Sequence, residues 1–314
     1  MNYTTNIQTG ISGDNRRTRM LAVLVAVSSF VVVSNSILIY ALVKTSRPFS
    51  KATQMFVCLS FVDMMNVVTN AIYSLLFAYL PHGSCILKFV MYVLSSSLFF
   101  LGITIFFSIS ILRYLALKKP FLQVNMRIVW SVNFTMFFLS TAYNLVSYLM
   151  SPSNFFEKKF KNDQVSVMFL TMTCILLILI INIASFRAIQ TTNFACTNQR
   201  RNSTKVSTDG DVKNNSSSGH HKKRAVKTLI IITSFYLISN IPLALFTLLT
   251  YLDWVEISLI TLWMFRGYLF QLVLLNCGVN AVVYMNRTKK VRKFLYCWIT
   301  CTIGTSIFSE DHGV

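Results

Sequence analysis

Residues 20–43 read MLAVLVAVSSFVVVSNSILIYALV, 24 positions without a charge. A helix needs about 20 apolar residues to cross a hydrocarbon core roughly 30 Å thick. This stretch is therefore long enough to span a membrane on its own. It also exceeds the ~7–15 apolar residues of a signal core, and no small-residue cleavage site follows it cleanly. It is expected to stay in the protein as a membrane helix.

Six further runs repeat the pattern along the chain: 52–80, broken only by Asp63; 89–112, ended by Arg113; 128–150; 165–186; 228–252; and 257–285. In the last, Arg266 interrupts the run, yet 19 residues from Gly267 onward remain uncharged. Composition agrees, with 54% hydrophobic and only 12% charged residues. Soluble chains carry about 25% charge, so too few charges exist here to coat a water-facing surface. The expected fold is an all-α membrane protein, a seven-transmembrane helix bundle. Its parts are an outer N-terminus 1–19, a bundle 20–286 and a tail 287–314.

A net charge of +19 would suggest nucleic acid in a soluble protein. In a membrane protein, basic residues must first be sorted by side. With seven spans, one side holds 21 Lys and Arg, in the odd-numbered loops and the C-terminus, and the other holds 8. The richer side is expected to be cytoplasmic, which sets the N-terminus outside; Arg16, Arg17 and Arg19 beside the first span argue the other way. No nucleic-acid partner is needed to explain the charge. The third loop of the basic side, 187–227, is rich in Asn, Ser, Thr and Lys. It has few apolar groups to offset the entropy of ordering, so disorder is expected. His220 and His221 within it read as part of a solvated basic tract, because no further metal ligands accompany them.

An ionisable residue inside a span is costly and by default a functional candidate. Asp63 is the one acid deep in a span, with Asn35 in the first span and Asn276 and Asn280 in the seventh. Packed together, these could form a polar network around water or Na⁺. They read equally well as polar glue between helices. Arg113, followed by Tyr114 at the inner end of the third span, also fits a positive-inside anchor. Pro242 lies within the sixth span, where it removes one backbone hydrogen bond and favours a kink.

In order, Asn35, Leu59-Ser-Phe-Val-Asp63, Leu112-Arg113-Tyr114, Pro120-Phe121, Pro242 and Asn280-Ala-Val-Val-Tyr284 resemble the skeleton of the rhodopsin-like G-protein-coupled receptors. The basic amphipathic stretch 287–298 is similar to that family's short eighth helix along the inner leaflet. Each motif is weak alone; their order and depth over nearly the whole chain make the joint signal strong. The chain also departs from the pattern. Leu112 stands where the family has an acid beside the Arg, and Lys222 where some relatives carry an acid. Ala281 replaces the proline of the seventh span, Asn240 an aromatic of the sixth, and Trp130 lies early in the fourth. The outer disulfide is not expected, because 151–164 contains no Cys to pair with Cys85.

The resemblance implies a ligand-biased equilibrium between two helix arrangements, read by a heterotrimeric G protein at the plasma membrane. Arg113, Tyr114, Pro242, Asn280 and Tyr284 would form the coupling switch; Asn35, Asp63, Asn276 and Asn280 the central polar network, with Na⁺ at Asp63 as the one cofactor considered. Ser95, Ser96, Phe99, Asn240, Arg266, Phe270 and Leu274 would face the ligand. No carboxylate stands in the outer half of the third span, which disfavours a biogenic amine and leaves a small peptide or a neutral, lipid-like ligand. Asn2-Tyr3-Thr4 fits a glycosylation acceptor. Cys297 and Cys301 follow the basic helix, a setting for palmitoylation or simply interfacial thiols.

Three rival readings have weaker support. A transporter commonly shows internal repeats and paired broken helices, and neither is evident. A membrane enzyme would need convergent chemistry such as paired intramembrane acids or a Gly-x-Ser-x-Gly turn. A decoy or non-signalling seven-helix protein is the nearest alternative, given Leu112 and Ala281.

Overall fold

A computed structural model describes residues 3–45, 50–79, 85–118, 124–150, 169–188, 213–252 and 259–309. All the regular structure among the described residues is helical. In chain order the helices are α1 Tyr3–Thr45, α2 Lys51–Tyr79, α3 Cys85–Lys118, α4 Met126–Met150, α5 Phe169–Ala188, α6 Lys213–Tyr251, α7 Leu259–Arg287 and α8 Lys289–Ser309. Six of them, α1, α2, α3, α5, α6 and α7, contain stretches long and apolar enough to cross a membrane. The architecture is that of an all-α, multi-pass membrane protein.

The α4 helix falls outside that six although the sequence marks 128–150 as a span. Its apolar content is diluted by one polar face turned inward. Asn133 Nδ2 donates to Ser108 Oγ at 3.2 Å, Thr141 Oγ1 to Ser97 Oγ at 2.9 Å and Asn144 Nδ2 to Ser96 Oγ at 3.4 Å, all across to α3. The opposite face is apolar and bare: Phe138 is 65% and Leu149 68% exposed. Elsewhere too, buried Asn, Ser and Thr lie among the buried apolar residues, while many Phe, Leu, Ile and Val face outward. A water-soluble surface would carry far more charge than this one. Lipid tails offer helices no hydrophobic drive to associate, so small and polar contacts hold them.

Helix boundaries differ from the sequence reading at two places. The α6 helix begins at Lys213, so 213–227 is helical rather than part of a disordered loop. Nucleation is the costly step, and once the sixth span has formed, Ala225 and the neighbouring Lys and Arg propagate it readily. The rest of that loop, 189–212, lies outside the described residues. At the other place α1 starts at Tyr3, well before the apolar run, and is 43 residues long.

Local signals fix the other ends. Ser50 caps α2, its Oγ accepting the Thr53 backbone N–H at 3.2 Å, and Asn125 caps α4 by accepting from the Arg127 N–H at 3.0 Å. Such caps satisfy donors that the first helical turn leaves orphaned. The caps lie at one end of the bundle, where Lys51 Nζ also donates to the Val124 carbonyl at 2.7 Å. Two larger apolar clusters, beside a small one at Phe89 and Val93, lie among the described residues. One joins Leu38, Met55, Leu59, Ile105, Ile109, Ile178, Ile232 and Val291; the other joins Leu21, Leu24, Val31, Val67, Leu274 and Cys277. The second is an α1–α2–α7 contact only.

Candidate functional site

Against the first cluster lies a small cavity of about 10 Å³, near the lower limit for a single water. It is lined by Asn35 and Leu38 of α1, Phe56, Leu59, Ser60 and Asp63 of α2, Phe106 of α3, Ile232 of α6, and Asn280 and Ala281 of α7. Asn35, Asp63 and Asn280, distant in sequence, thus share one space. Asn35 is fixed from two sides, its Nδ2 donating to the Val31 carbonyl at 3.0 Å and to the Cys277 carbonyl at 3.3 Å. The second bond ties α1 to α7 directly. Asp63 is 7% exposed and hydrogen-bonds the Cys277 thiol. On the α3 side Gly102 faces the carboxylate: a Cβ built there would stand 3.7 Å from Asp63 Oδ1. Asn276 is buried with both amide atoms unpartnered, and Asn280 Oδ1 is likewise buried without a hydrogen bond.

Four of the lining side chains carry oxygen: Asn35, Ser60, Asp63 and Asn280. Asp63 supplies the only carboxylate among them, and the Asn280 oxygen is uncommitted. Among the described residues no group of three or more His, Cys, Asp or Glu could hold a metal ion. One carboxylate among neutral oxygens is a donor set that a monovalent cation can use.

The sequence reading missed two polar residues beyond Asp63 on the same helix. Asn66 and Asn70, 2% and 6% exposed, continue the Asp63 face of α2. Asn70 Nδ2 donates to Asn66 Oδ1 at 2.9 Å, and Ser95 Oγ of α3 donates to the same oxygen at 3.5 Å. The spacing 63, 66, 70 places all three on one helix face and was the signal available. Cys277 and Tyr236 were missed as well. Tyr236 of α6 stacks on Phe106 with centroids 6.3 Å apart and an interplanar angle of 20°.

Toward the capped end, Arg113 of α3 is half-buried, with its Cζ 5.4 Å from the Phe56 ring centroid. The Tyr284 ring of α7 meets the same Phe56, centroids 4.2 Å apart. Tyr284 also hydrogen-bonds Thr288. Tyr114, by contrast, points toward its own helix end, under the Lys118 ammonium at 5.6 Å. In α6, Pro242 lies within the helix, and the preceding turn is back-bonded twice: Ser239 Oγ donates to the Phe235 carbonyl and Asn240 Nδ2 to the Tyr236 carbonyl, both at 2.8 Å. Such back-bonds tend to bend a helix, so they and Pro242 concentrate deformability in one place.

The described residues among those expected to face a ligand make separate helix contacts. Ser95 is bonded to α2 and Ser96 to α4, since successive helical residues point about 100° apart. Phe99 meets Phe100 edge-on. Leu274 is fully buried in the α1–α2–α7 cluster and Phe270 packs on it, so these two serve helix contact. Asn240 is buried on its own helix. Asn2, and the side chains of Arg266, Cys85, His220, His221 and Cys301, lie outside the described residues. Cys297 is an exposed free thiol beside Trp298, which packs on Tyr40 at 6.3 Å. The chain matches no protein-family model and no curated protein.

Proposed function

We propose that the chain is a seven-span receptor of the rhodopsin-like kind, with α4 as the span of lowest apolar content and α8 lying along the inner leaflet. In this reading it sits in the plasma membrane with its N-terminus outside. It passes the binding of a small peptide or neutral, lipid-like ligand to a heterotrimeric G protein. One observation carries the reading: Asn35, Asp63 and Asn280 line a single cavity while Arg113 and Tyr284 meet one turn closer to the basic end. Residues picked out by their order along the chain are thereby two adjoining constellations in space. A transporter or a packing-only bundle gives no reason for that pairing.

The mechanism follows from the geometry. Ligand binding at the outer end shifts the bundle by differential affinity for two arrangements. The deformable turn at Ser239–Pro242 lets the basic half of α6 swing, with Tyr236 and Phe106 as its contact to α3. Arg113 then meets the G protein. Asn35, Ser60, Asp63 and Asn280 would hold a Na⁺ in the closed arrangement, where it would supply positive charge against the carboxylate. Moving the equilibrium from 1:99 to 99:1 takes roughly 5.5 kcal/mol of differential affinity. Leu112 provides no acid for Arg113, so the closed state has one restraint fewer and ligand-free signalling is expected.

The test is ligand-free activation across a panel of Gα subtypes in cells, comparing wild type with Arg113→Ala at equal surface expression. Wild type should activate one subtype above empty vector, and the variant should lose most of that signal. Activation unchanged by Arg113→Ala would sink the assignment of Arg113. No activation by either protein would shift weight to a non-signalling seven-helix protein, which Leu112 and the buried Ala281 favour.

A further inference from the structure

Phe56 stands at a junction that the receptor reading does not explain. It is an aromatic in a span, 4% exposed, with no lipid to face. Its neighbours are instead a guanidinium on α3 and a phenol ring on α7. Arg113 Cζ lies 5.4 Å from its centroid, inside the ~6 Å range within which a cation is attracted to a ring face. Tyr284 lies 4.2 Å away with the rings inclined at 42°, closer than the ~4.5–7 Å of ordinary aromatic pairing. One ring on α2 therefore touches two groups carried by two other helices.

We propose that Phe56 is a positioning residue for Arg113. Its ring holds the guanidinium toward α2 and α7 by a cation–π contact. The attraction comes from the ring's quadrupole, so shape alone does not reproduce it. Leucine fills much of the space but offers no π face, whereas tyrosine keeps the ring. Desolvation at this half-buried site strengthens the contact. The inference rests on the receptor reading only for its signalling consequence; the restraint on Arg113 stands on the contacts themselves.

Hydrogen–deuterium exchange on the full chain in lipid nanodiscs tests it without any G protein. Phe56→Leu should raise exchange at the basic ends of α3 and α7, with the open population growing about two- to thirtyfold, the range a cation–π contact covers. Phe56→Tyr should leave exchange near wild type. Phe56→Met, whose adaptable side chain fills irregular gaps, is the second ring-free variant should Phe56→Leu fail to fold, and should behave as Leu does. In an Arg113→Gln background the Phe56→Leu effect should vanish, because the two changes remove one shared interaction. Equal exchange in the Leu and Tyr variants, or an unchanged Leu effect without the guanidinium, would overturn the proposal. A parallel ligand-free G-protein assay separates the two readings. An exchange response without G-protein activation keeps the Phe56 contact and removes the receptor function.

Discussion

Gly278→Leu is expected to remove most folded protein from the membrane, reducing surface level about tenfold. At Gly278 α7 packs closely against α1. A Cβ built on it would lie 2.5 Å from Phe30 Cε1, 2.8 Å from Phe30 Cδ1 and 3.2 Å from Ser34 Oγ. Small residues are what let membrane helices approach so closely, and overpacking a settled contact costs typically ~1–3 kcal/mol. Leucine adds a branched side chain beyond that Cβ, so the helices must separate. Separation would also break the bond from Asn35 Nδ2 to the Cys277 carbonyl, at 3.3 Å, and draw Asn35 away from Asp63. A loss of ~1–2 kcal/mol is enough to change cellular abundance several-fold.

Gly267 provides the internal control. A Cβ there would meet only the sulfur end of Met20, at 2.8 Å, and a flexible thioether can move aside. Gly267→Ala should therefore stay within about twofold of wild type in the same flow-cytometry measurement. Wild-type surface levels for Gly278→Leu would contradict the α1–α7 packing described above.

The contrast between these glycines marks what the sequence could and could not reveal. Asp63, Asn35 and Asn280 stand out because polar groups are rare and costly in apolar runs, and the structure brings those three to one cavity. Phe56, Gly102 and Cys277 were illegible for the opposite reason: a ring, a glycine or a thiol in a membrane helix reads as ordinary lining. Phe270 and Leu274 show a second limit. In a helix that is apolar nearly all round, depth can be counted from the sequence but rotation cannot, because no polar face orients it. Both turned out to face α1 and α2. The polar face of α4 shows a third limit, since hydrogen bonds that fasten it to α3 also lower its apolar content. Asn66 and Asn70 were within reach, because their spacing from Asp63 is helical.

Asp63 is the residue at which packing and switching can be separated. A carboxylate inside a lipid-bound bundle costs at least a few kcal/mol, and the Asn280 oxygen lining the same cavity lacks a donor. Asparagine has nearly the same shape, can still accept from the Cys277 thiol, and adds an N–H pair that can reach Asn280. Asp63→Asn should thus raise the melting temperature of the purified protein by about 2–5 °C, as expected for ~1–2 kcal/mol in a domain of this size. Asp63→Ala loses the thiol's partner and enlarges the cavity, so it should lower the melting temperature by a similar amount. If the cavity is part of the switch, stabilising the closed arrangement by ~1.4 kcal/mol lowers the open population tenfold. Ligand-free G-protein activation by Asp63→Asn should then fall about tenfold at equal surface expression. A higher melting temperature with unchanged activation would make Asp63 polar glue between helices and nothing more. The carboxylate would in that case hold α2 to α7 through Cys277, while Arg113 and Tyr284 would remain as the site where signalling is controlled.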